Sequence, residues 1–234
     1  MELSLIQKIA VFAIPVIFAI TLHEAAHGYI AMKFGDKTAW MLGRVTANPL
    51  KHIDPVGTIG LPLLLLLMSK LSGGPAFLFG WAKPVPVNFS ALRRPKRDMV
   101  WVAAAGPAAN LLMALVWGLL IQLGQMLHNG FASTPLMLMG AAGIFINAIL
   151  AALNLLPLPP LDGGRIAVGL LPPGLSMALA RVEPYGFFIL IALMFTGILS
   201  NLVTPLITLF LTVIAVLTGL GVGDITYLIN LLLA

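Results

Sequence analysis

The feature that most limits the fold of this 234-residue chain is a series of long apolar runs. A helix needs about 20 apolar residues to cross a bilayer. Five runs approach or exceed that length, at residues 9–32, 100–127, 135–156, 178–199 and 202–220. Charged residues make up only 9% of the chain, against about 25% in soluble domains. We therefore predict an all-α polytopic membrane protein with about five to six transmembrane helices.

The remaining sequence is short and offers no place for a separate soluble domain. A sixth apolar run, residues 56–68, is too short to cross directly and predicts a re-entrant or partly submerged piece. It belongs to a membrane-associated segment around residues 38–90 that we predict to be re-entrant and β-like, with strand-like stretches at 38–47 and 81–89. One domain is predicted over residues 1–234, with core motifs at 20–170, helical spans at 178–220 and an amphipathic tail at 222–234.

The distribution of charge predicts how the chain lies in the membrane. The net charge of +5 comes from basic residues that fall mostly in short loops between apolar runs, particularly residues 33–51 and 83–97. Basic residues in short loops are typical of the cytoplasmic side of membrane proteins. We therefore predict a multi-pass protein of the cell membrane with these loops in the cytoplasm, the lipid bilayer as its partner, and no nucleic-acid binding.

The sequence HEAAH places ionisable groups near the predicted cytoplasmic end of the first run. His23 and His27 are four residues apart, so both imidazoles project from one face of a helix, as two metal ligands must. Glu24 can then act on water without binding the metal, which is the arrangement of zinc hydrolases. A solvated helix face is the alternative. It is the weaker interpretation here because unpaired ionisable groups are costly in a membrane.

Asp162, in the sequence PLPPLDGGR, is the predicted third ligand. The chain has no cysteine, so any metal site must use His, Asp or Glu. The run at residues 135–156 returns to the cytoplasmic side, which brings Asp162 to the depth of the histidines. The prolines and glycines around it mark a broken helix end. Taken alone, Asp162 could instead cap the helix that begins at Gly163.

HEAAH and NLLPLPPLDGG, in this order, resemble the paired motifs of the site-2 protease family of intramembrane zinc metalloproteases. Further stretches, among them FGWAKPVPVNFS and RRPKRDMVWVAAAGPAAN, are similar to the compact, standalone prokaryotic branch without extra soluble domains. The resemblance covers about residues 20–170, whereas the last two spans match only in hydropathy.

This resemblance implies a zinc metalloendopeptidase with one Zn²⁺ per chain. By position, His23, His27 and Asp162 would hold zinc, Glu24 would be the base for attack by zinc-bound water, and Asn154 would bond the substrate or the oxyanion. The resemblance also implies regulated intramembrane proteolysis, with the transmembrane segments of single-span membrane proteins as substrates.

Weaker patterns give three further hypotheses about individual residues. Prolines favour an edge strand at residues 81–89, where Val85 and Val87 could pair with an unwound substrate; a plain surface loop is the alternative. Asn110 could face the site, although helix packing also explains its small neighbours. His52 and Asp54 suit a hydrogen-bonded loop or a place behind the metal ligands better than direct coordination.

A membrane metal-ion binding or transport protein is the competing functional class, because intramembrane His and Asp residues also mark ion pathways. Glu24 discriminates between the two classes, since a transporter needs no general base beside its ligands. A catalytically silent scaffold is a third class, against which the intact motifs speak.

Overall fold

The computed structural model describes residues 3–60, 63–64, 67–68, 71, 82–127 and 130–233. Within these residues the α-helices are α1 (Leu5–Lys33), α2 (Thr38–Met41), α3 (Pro95–Met126), α4 (Ser133–Asn154), α5 (Asp162–Leu170), α6 (Pro173–Ala180), α7 (Gly186–Phe195), α8 (Ile198–Thr218) and α9 (Val222–Leu233). Short 3₁₀ turns lie at Pro49–Lys51, Phe89–Ala91 and Glu183–Tyr185, and a π-helical turn lies at Pro55–Gly60.

Within the described part of the chain, five stretches are long and apolar enough to cross a membrane: Ile6–Lys33, Pro95–Met126, Ser133–Asn154, Pro173–Phe195 and Ile198–Thr218. The predicted all-α polytopic membrane class is thereby confirmed. The fourth stretch is divided into α6 and α7 by a 3₁₀ turn. The predicted re-entrant run at residues 56–68 begins within the π-helical turn, residues 63, 64, 67 and 68 are helical, and residues 61, 62, 65 and 66 lie outside the described residues.

The β-like character expected between residues 38 and 90 is wrong for the part of that segment which the structure describes. Thr38–Met41 is helical because Asp36 Oδ1 accepts hydrogen bonds from both the N–H and the hydroxyl of Thr38, at 2.9 and 2.5 Å. An acid in this position satisfies N–H groups that a helix start leaves free. Residues 82–88 form no strand ladder with any other described residue. Residue 81 lies outside the description.

Close contact between α3 and α4 forms the centre of the bundle. It depends on glycines in α4 that leave space for the α3 main chain and for Trp117. A Cβ atom at Gly143 would lie 2.2 Å from Trp117 Cγ, and one at Gly140 would lie 2.7 Å from the Trp117 carbonyl oxygen. Small residues are favoured between membrane helices because they allow this approach.

The helices α1, α3, α4, α8 and α9 share one apolar core. The predicted amphipathic tail takes part in it, because Ile225, Ile229 and Leu232 of α9 are buried along one face. At one end of the bundle, the carbonyl oxygen of Phe34 accepts a hydrogen bond of 3.0 Å from the Arg93 N–H. The end of α1 therefore adjoins the start of α3, and α4 returns the chain to this same end.

We expect the substitution Gly143→Ala to destabilise the bundle, because its methyl group would overlap the Trp117 ring. Overpacking of this kind costs about 1–3 kcal/mol of unfolding free energy. The matched control is Gly174→Ala, at a helical glycine whose Cβ would meet no atom within 4 Å. Thermal unfolding in detergent, followed by circular dichroism, should show a lower midpoint for Gly143→Ala alone. Equal midpoints would contradict this account of the α3–α4 contact.

Candidate metal centre

Three predicted ligands from distant parts of the chain meet inside the bundle. His23 and His27 lie one turn apart on α1, and Asp162 is the first residue of α5. The two histidine Nε2 atoms are 3.1 Å apart, and each lies 3.3 Å from Asp162 Oδ2. All three residues are buried. Among the described residues, they are the group of side chains that could hold a metal ion.

The outer nitrogens of the two rings are held by acceptors. His27 Nδ1 lies 2.7 Å from the carbonyl oxygen of Val102, which can only accept a hydrogen bond. A neutral His27 therefore carries its proton on Nδ1, and its Nε2 then presents a lone pair to the centre of the group. An outer acceptor of this kind fixes the tautomer and the orientation of a histidine that binds metal.

The tautomer of His23 is fixed by a longer chain of buried amides. Asn147 Nδ2 donates to the Gly143 carbonyl oxygen, so Asn147 Oδ1 is free to accept from Asn110 Nδ2 at 2.9 Å. Asn110 Nδ2 also donates to the carbonyl oxygen of Ala19 at 3.3 Å. Asn110 Oδ1 must then face His23 Nδ1, at 2.6 Å, and accept its proton. His23 Nε2 is thus unprotonated as well.

Three electron pairs consequently face one another at the centre of the group. Asp162 Oδ2 is buried and accepts no hydrogen bond from the described residues, because the two Nε2 atoms that face it carry no proton when both rings are neutral. Buried acceptors without donors are costly. A divalent cation satisfies all three at once, and two imidazole nitrogens with one carboxylate oxygen are a ligand set of catalytic zinc. The residues therefore fit a metal ion.

The alternative role of Asp162 as a helix cap finds no support in the geometry. The residue that precedes the helix in the capping position is Leu161, and no side chain caps this end of α5. Gly163 and Gly164 allow the tight turn that leads into it, because Cβ atoms there would lie 2.2 Å from the Leu155 carbonyl oxygen and 2.1 Å from the Pro159 nitrogen.

Space for the two histidines comes from a glycine of α3. A Cβ atom at Gly106 would lie 2.5 Å from both His23 Cε1 and His27 Nε2. Any larger side chain at this position would therefore displace a ring that we infer to be a ligand. Gly106 belongs to the small-residue stretch AAAGPAAN, and its neighbours are the two histidine rings.

Glu24 lies beside the centre without joining it. Its Oε2 accepts a hydrogen bond of 2.7 Å from the main-chain N–H of Val85. The buried Val85 side chain packs on α1, where its Cγ1 would lie 3.0 Å from a Cβ at Gly28. The segment at residues 82–88 therefore passes directly over the glutamate of HEAAH.

A second carboxylate anchors the far end of that segment. Asp36 Oδ2 accepts a hydrogen bond of 2.7 Å from the Asn88 N–H. Burial disfavours the charged form of Asp36, but hydrogen bonds from Thr38 and Asn88 outweigh burial and hold the pKa of Asp36 below its ordinary value. Asp36 thus remains ionised at neutral pH and fixes the position of the segment.

The other predicted site residues are distributed around the centre. Asn110, which the sequence suggests could face the site, is fully buried and lies against His23. Asn154 is half-buried at the end of α4 and donates to the Leu150 carbonyl oxygen. His52 and Asp54 make hydrogen bonds within their own loop, His52 Nε2 with the Thr46 carbonyl oxygen and Asp54 Oδ1 with main-chain N–H groups. Within the described part of the chain, neither residue hydrogen-bonds to His23, His27 or Asp162.

Sequence reasoning did not identify three contributors to the site. Asn147 is an amide in the middle of an apolar run, and that position is an available signal. Gly106 was assigned to helix packing alone. Val102 acts through its carbonyl oxygen, for which no sequence signal exists.

Comparison with known proteins identifies relatives that match most of this chain. YwhC of Bacillus subtilis, named as a zinc metalloprotease, is 40% identical over 198 residues, which cover 83% of this chain and 84% of YwhC. The chain belongs to this family of zinc metalloproteases. Membership agrees with the resemblance to the site-2 protease family that the two motifs carry.

Less similar relatives of this chain are also named as zinc metalloproteases. Rip2 of Mycolicibacterium smegmatis, named as a zinc metalloprotease, is 34% identical over 79% of this chain and 66% of Rip2. A zinc metalloprotease of Methanocaldococcus jannaschii is 24% identical over 86% of this chain and 47% of that protein. No family model and no solved structure matches the metalloprotease.

We expect Asn110→Leu to weaken zinc binding by about 10- to 100-fold, because residues that orient metal-binding histidines have effects of that size. The matched control is Asn154→Leu, which removes an amide that bonds only within α4. Zinc affinity of the purified protein, measured by competition with a chromophoric chelator, should fall for Asn110→Leu and stay near wild type for Asn154→Leu. Equal affinities for all three proteins would contradict the assigned role of Asn110.

Proposed function

We propose that the protein is an intramembrane zinc endopeptidase that cleaves transmembrane segments of other membrane proteins. The observation that carries this proposal is Glu24. It lies on the same helix as two buried histidines, and its carboxylate is bonded to a main-chain N–H instead of joining the three inward-facing acceptors. A metal transporter would have no use for a carboxylate held in this way.

The depth of the centre supports cleavage within the membrane. His27 lies six residues before Lys33, the last residue of α1, which corresponds to about 9 Å along a helix. The centre thus lies inside an apolar span but near its basic end. We propose that this end faces the cytoplasm of a cell whose membrane the chain crosses, because short basic loops flank it.

The chemistry follows from the groups at the centre. His23, His27 and Asp162 would hold zinc, which would supply a Lewis acid that polarises a peptide carbonyl and acidifies water. The Val85 N–H fixes one oxygen of Glu24, so the second oxygen is the one that takes the proton from the attacking water. The same carboxyl group would then return the proton to the departing amine.

Asn154 is proposed to bond the substrate carbonyl or the oxyanion that develops from it. Its Nδ2 donates one hydrogen to the Leu150 carbonyl oxygen, which leaves the second hydrogen of the amide for a ligand. Its half-buried position at the end of α4 leaves the side chain accessible. A fixed donor of this kind stabilises negative charge in a site from which water is excluded.

The segment at residues 82–88 is the proposed site of substrate contact. Two of its N–H groups are already committed, that of Lys83 to the His52 carbonyl oxygen at 2.9 Å and that of Val85 to Glu24. Pro84 and Pro86 have no N–H. Val87 therefore offers the next main-chain N–H along the segment, and we propose that an unwound substrate pairs with it in an extended conformation.

The decisive test is Glu24→Gln in purified protein with a panel of single-span membrane substrates. We expect this variant to retain zinc, because Glu24 is not one of the three inward-facing residues, and to lose cleavage by at least about 100-fold, as loss of a general base does. His27→Ala, the control, should lose both zinc and cleavage. Undiminished cleavage by Glu24→Gln would reject the proposed mechanism.

Proline substitutions separate the two roles proposed for the segment. Val85→Pro removes the N–H that holds Glu24 and should lower kcat, whereas Val87→Pro removes an N–H proposed for substrate and should raise KM. The two sites are matched, because each valine directly follows a proline. Steady-state kinetics with one cleaved substrate would measure both constants, and the same change in both variants would contradict separate roles.

A further inference from the structure

Outside the metal centre, a groove opens between the start of α3 and the last turn of α5. Its volume is about 440 Å³, within the range of roughly 300–1,000 Å³ that is usual for small-molecule sites. It is lined by Lys96, Arg97, Val100, Trp101, Gly169 and Leu170. The two helices nearly touch at its floor, where a Cβ at Gly169 would lie 2.4 Å from Val100 Cγ2. Most of the lining is apolar, and both cationic side chains come from the first turn of α3.

These two cations have no acidic partner in the part of the chain that the structure describes. Lys96 and Arg97 are exposed, and neither forms an ion pair there. Lys96 Nζ is held in place by the carbonyl oxygen of Leu171, directly after α5. An occupant that matches the groove must therefore combine a negative group with an apolar body.

The groove lies at the depth where lipid headgroups meet acyl chains. The 32 residues of α3 span about 48 Å, well beyond the roughly 30 Å of a hydrocarbon core, so its first turns reach the headgroups. Trp101 follows the two cations and is 56% exposed, as is typical of tryptophans at the membrane interface. Leu170 is 71% exposed on the other wall. Lipid therefore has direct access to the groove.

We propose that this groove binds one anionic glycerophospholipid. Its phosphate lies between Lys96 and Arg97, and an acyl chain runs along Val100, Trp101 and Leu170. Basic pockets between membrane helices on the cytoplasmic side select such headgroups. A zwitterionic lipid carries its own ammonium group and so gains less from the two cations. The site is separate from the metal centre and does not depend on proteolysis.

Fluorescence of Trp101 reports directly on the occupant. The full-length, zinc-loaded protein is reconstituted into vesicles of phosphatidylcholine and phosphatidylglycerol, with brominated acyl chains placed on only one of the two lipids. The difference between wild type and Trp101→Phe isolates Trp101 from the other tryptophans. We expect brominated phosphatidylglycerol to quench Trp101 more strongly than brominated phosphatidylcholine at the same mole fraction. Equal quenching by the two lipids would overturn the proposal.

A pair of double variants separates the groove from the general basic surface. Lys96→Gln with Arg97→Gln removes the two groove cations, and Arg93→Gln with Arg94→Gln removes the same charge from the same basic run, outside the groove. Each basic residue near a membrane contributes a factor of about five in affinity for anionic lipid. We expect the excess quenching of Trp101 by brominated phosphatidylglycerol, relative to brominated phosphatidylcholine, to fall several-fold more in the groove pair than in the control pair.

Two results would reject the lipid site. Equal losses in the two double variants would show that the charge of the whole basic run attracts the lipid. Reversal of the quenching by millimolar inorganic phosphate would indicate a simple anion site instead of a lipid site. Zinc content and circular dichroism of each variant establish that it is folded, so a reduced preference cannot come from unfolding.

Discussion

Mutual repulsion among three buried acceptors is the constraint on which the rest of the site depends. The Nε2 atoms of two histidines and one oxygen of Asp162 face one another within 3.3 Å. Each histidine proton is held on the opposite ring nitrogen, by the Val102 carbonyl oxygen for His27 and by the Asn110 amide for His23. A cation removes this repulsion, and its binding therefore adds to the stability of the folded bundle.

The same glycines that pack the helices also permit the polar network. Gly143 lets α3 and α4 approach, and its carbonyl oxygen fixes the orientation of the Asn147 amide. Asn147 in turn bonds Asn110 across this helix contact, and Gly106 leaves the histidines their space. The contact between α3 and α4 therefore determines both the packing of the helices and the orientation of the metal ligands. In a low-dielectric interior, such a chain of hydrogen bonds strengthens each of its members.

The sequence allowed the helical class and the juxtaposition of HEAAH with Asp162 to be predicted, because both follow from one-dimensional patterns: run length, helical spacing and the alternation of spans. The role of Asn110 depends on how α3 is rotated about its axis, which its uniformly apolar surroundings do not reveal. The helical turn at Thr38 depends on hydrogen bonds from its N–H and hydroxyl to Asp36, which a strand-like residue pattern does not reveal. Val85 acts through its main chain, and a main-chain N–H has no residue-specific signal.

Between Val85 and Asn88, the segment over the glutamate is tied down at two points, by the Val85 N–H on Glu24 and by the Asn88 N–H on Asp36. Hydrogen bonds to charged groups contribute roughly 1.5–3 kcal/mol each. Lifting the segment would therefore cost about 3–6 kcal/mol, and the lifted form would be present in only about one molecule in 10² to 10⁴. A substrate that bound only the lifted form would lose affinity by the same factor. The segment is thus a fixed wall beside Glu24, and a substrate of the proposed peptidase would have to adapt its own shape to this wall.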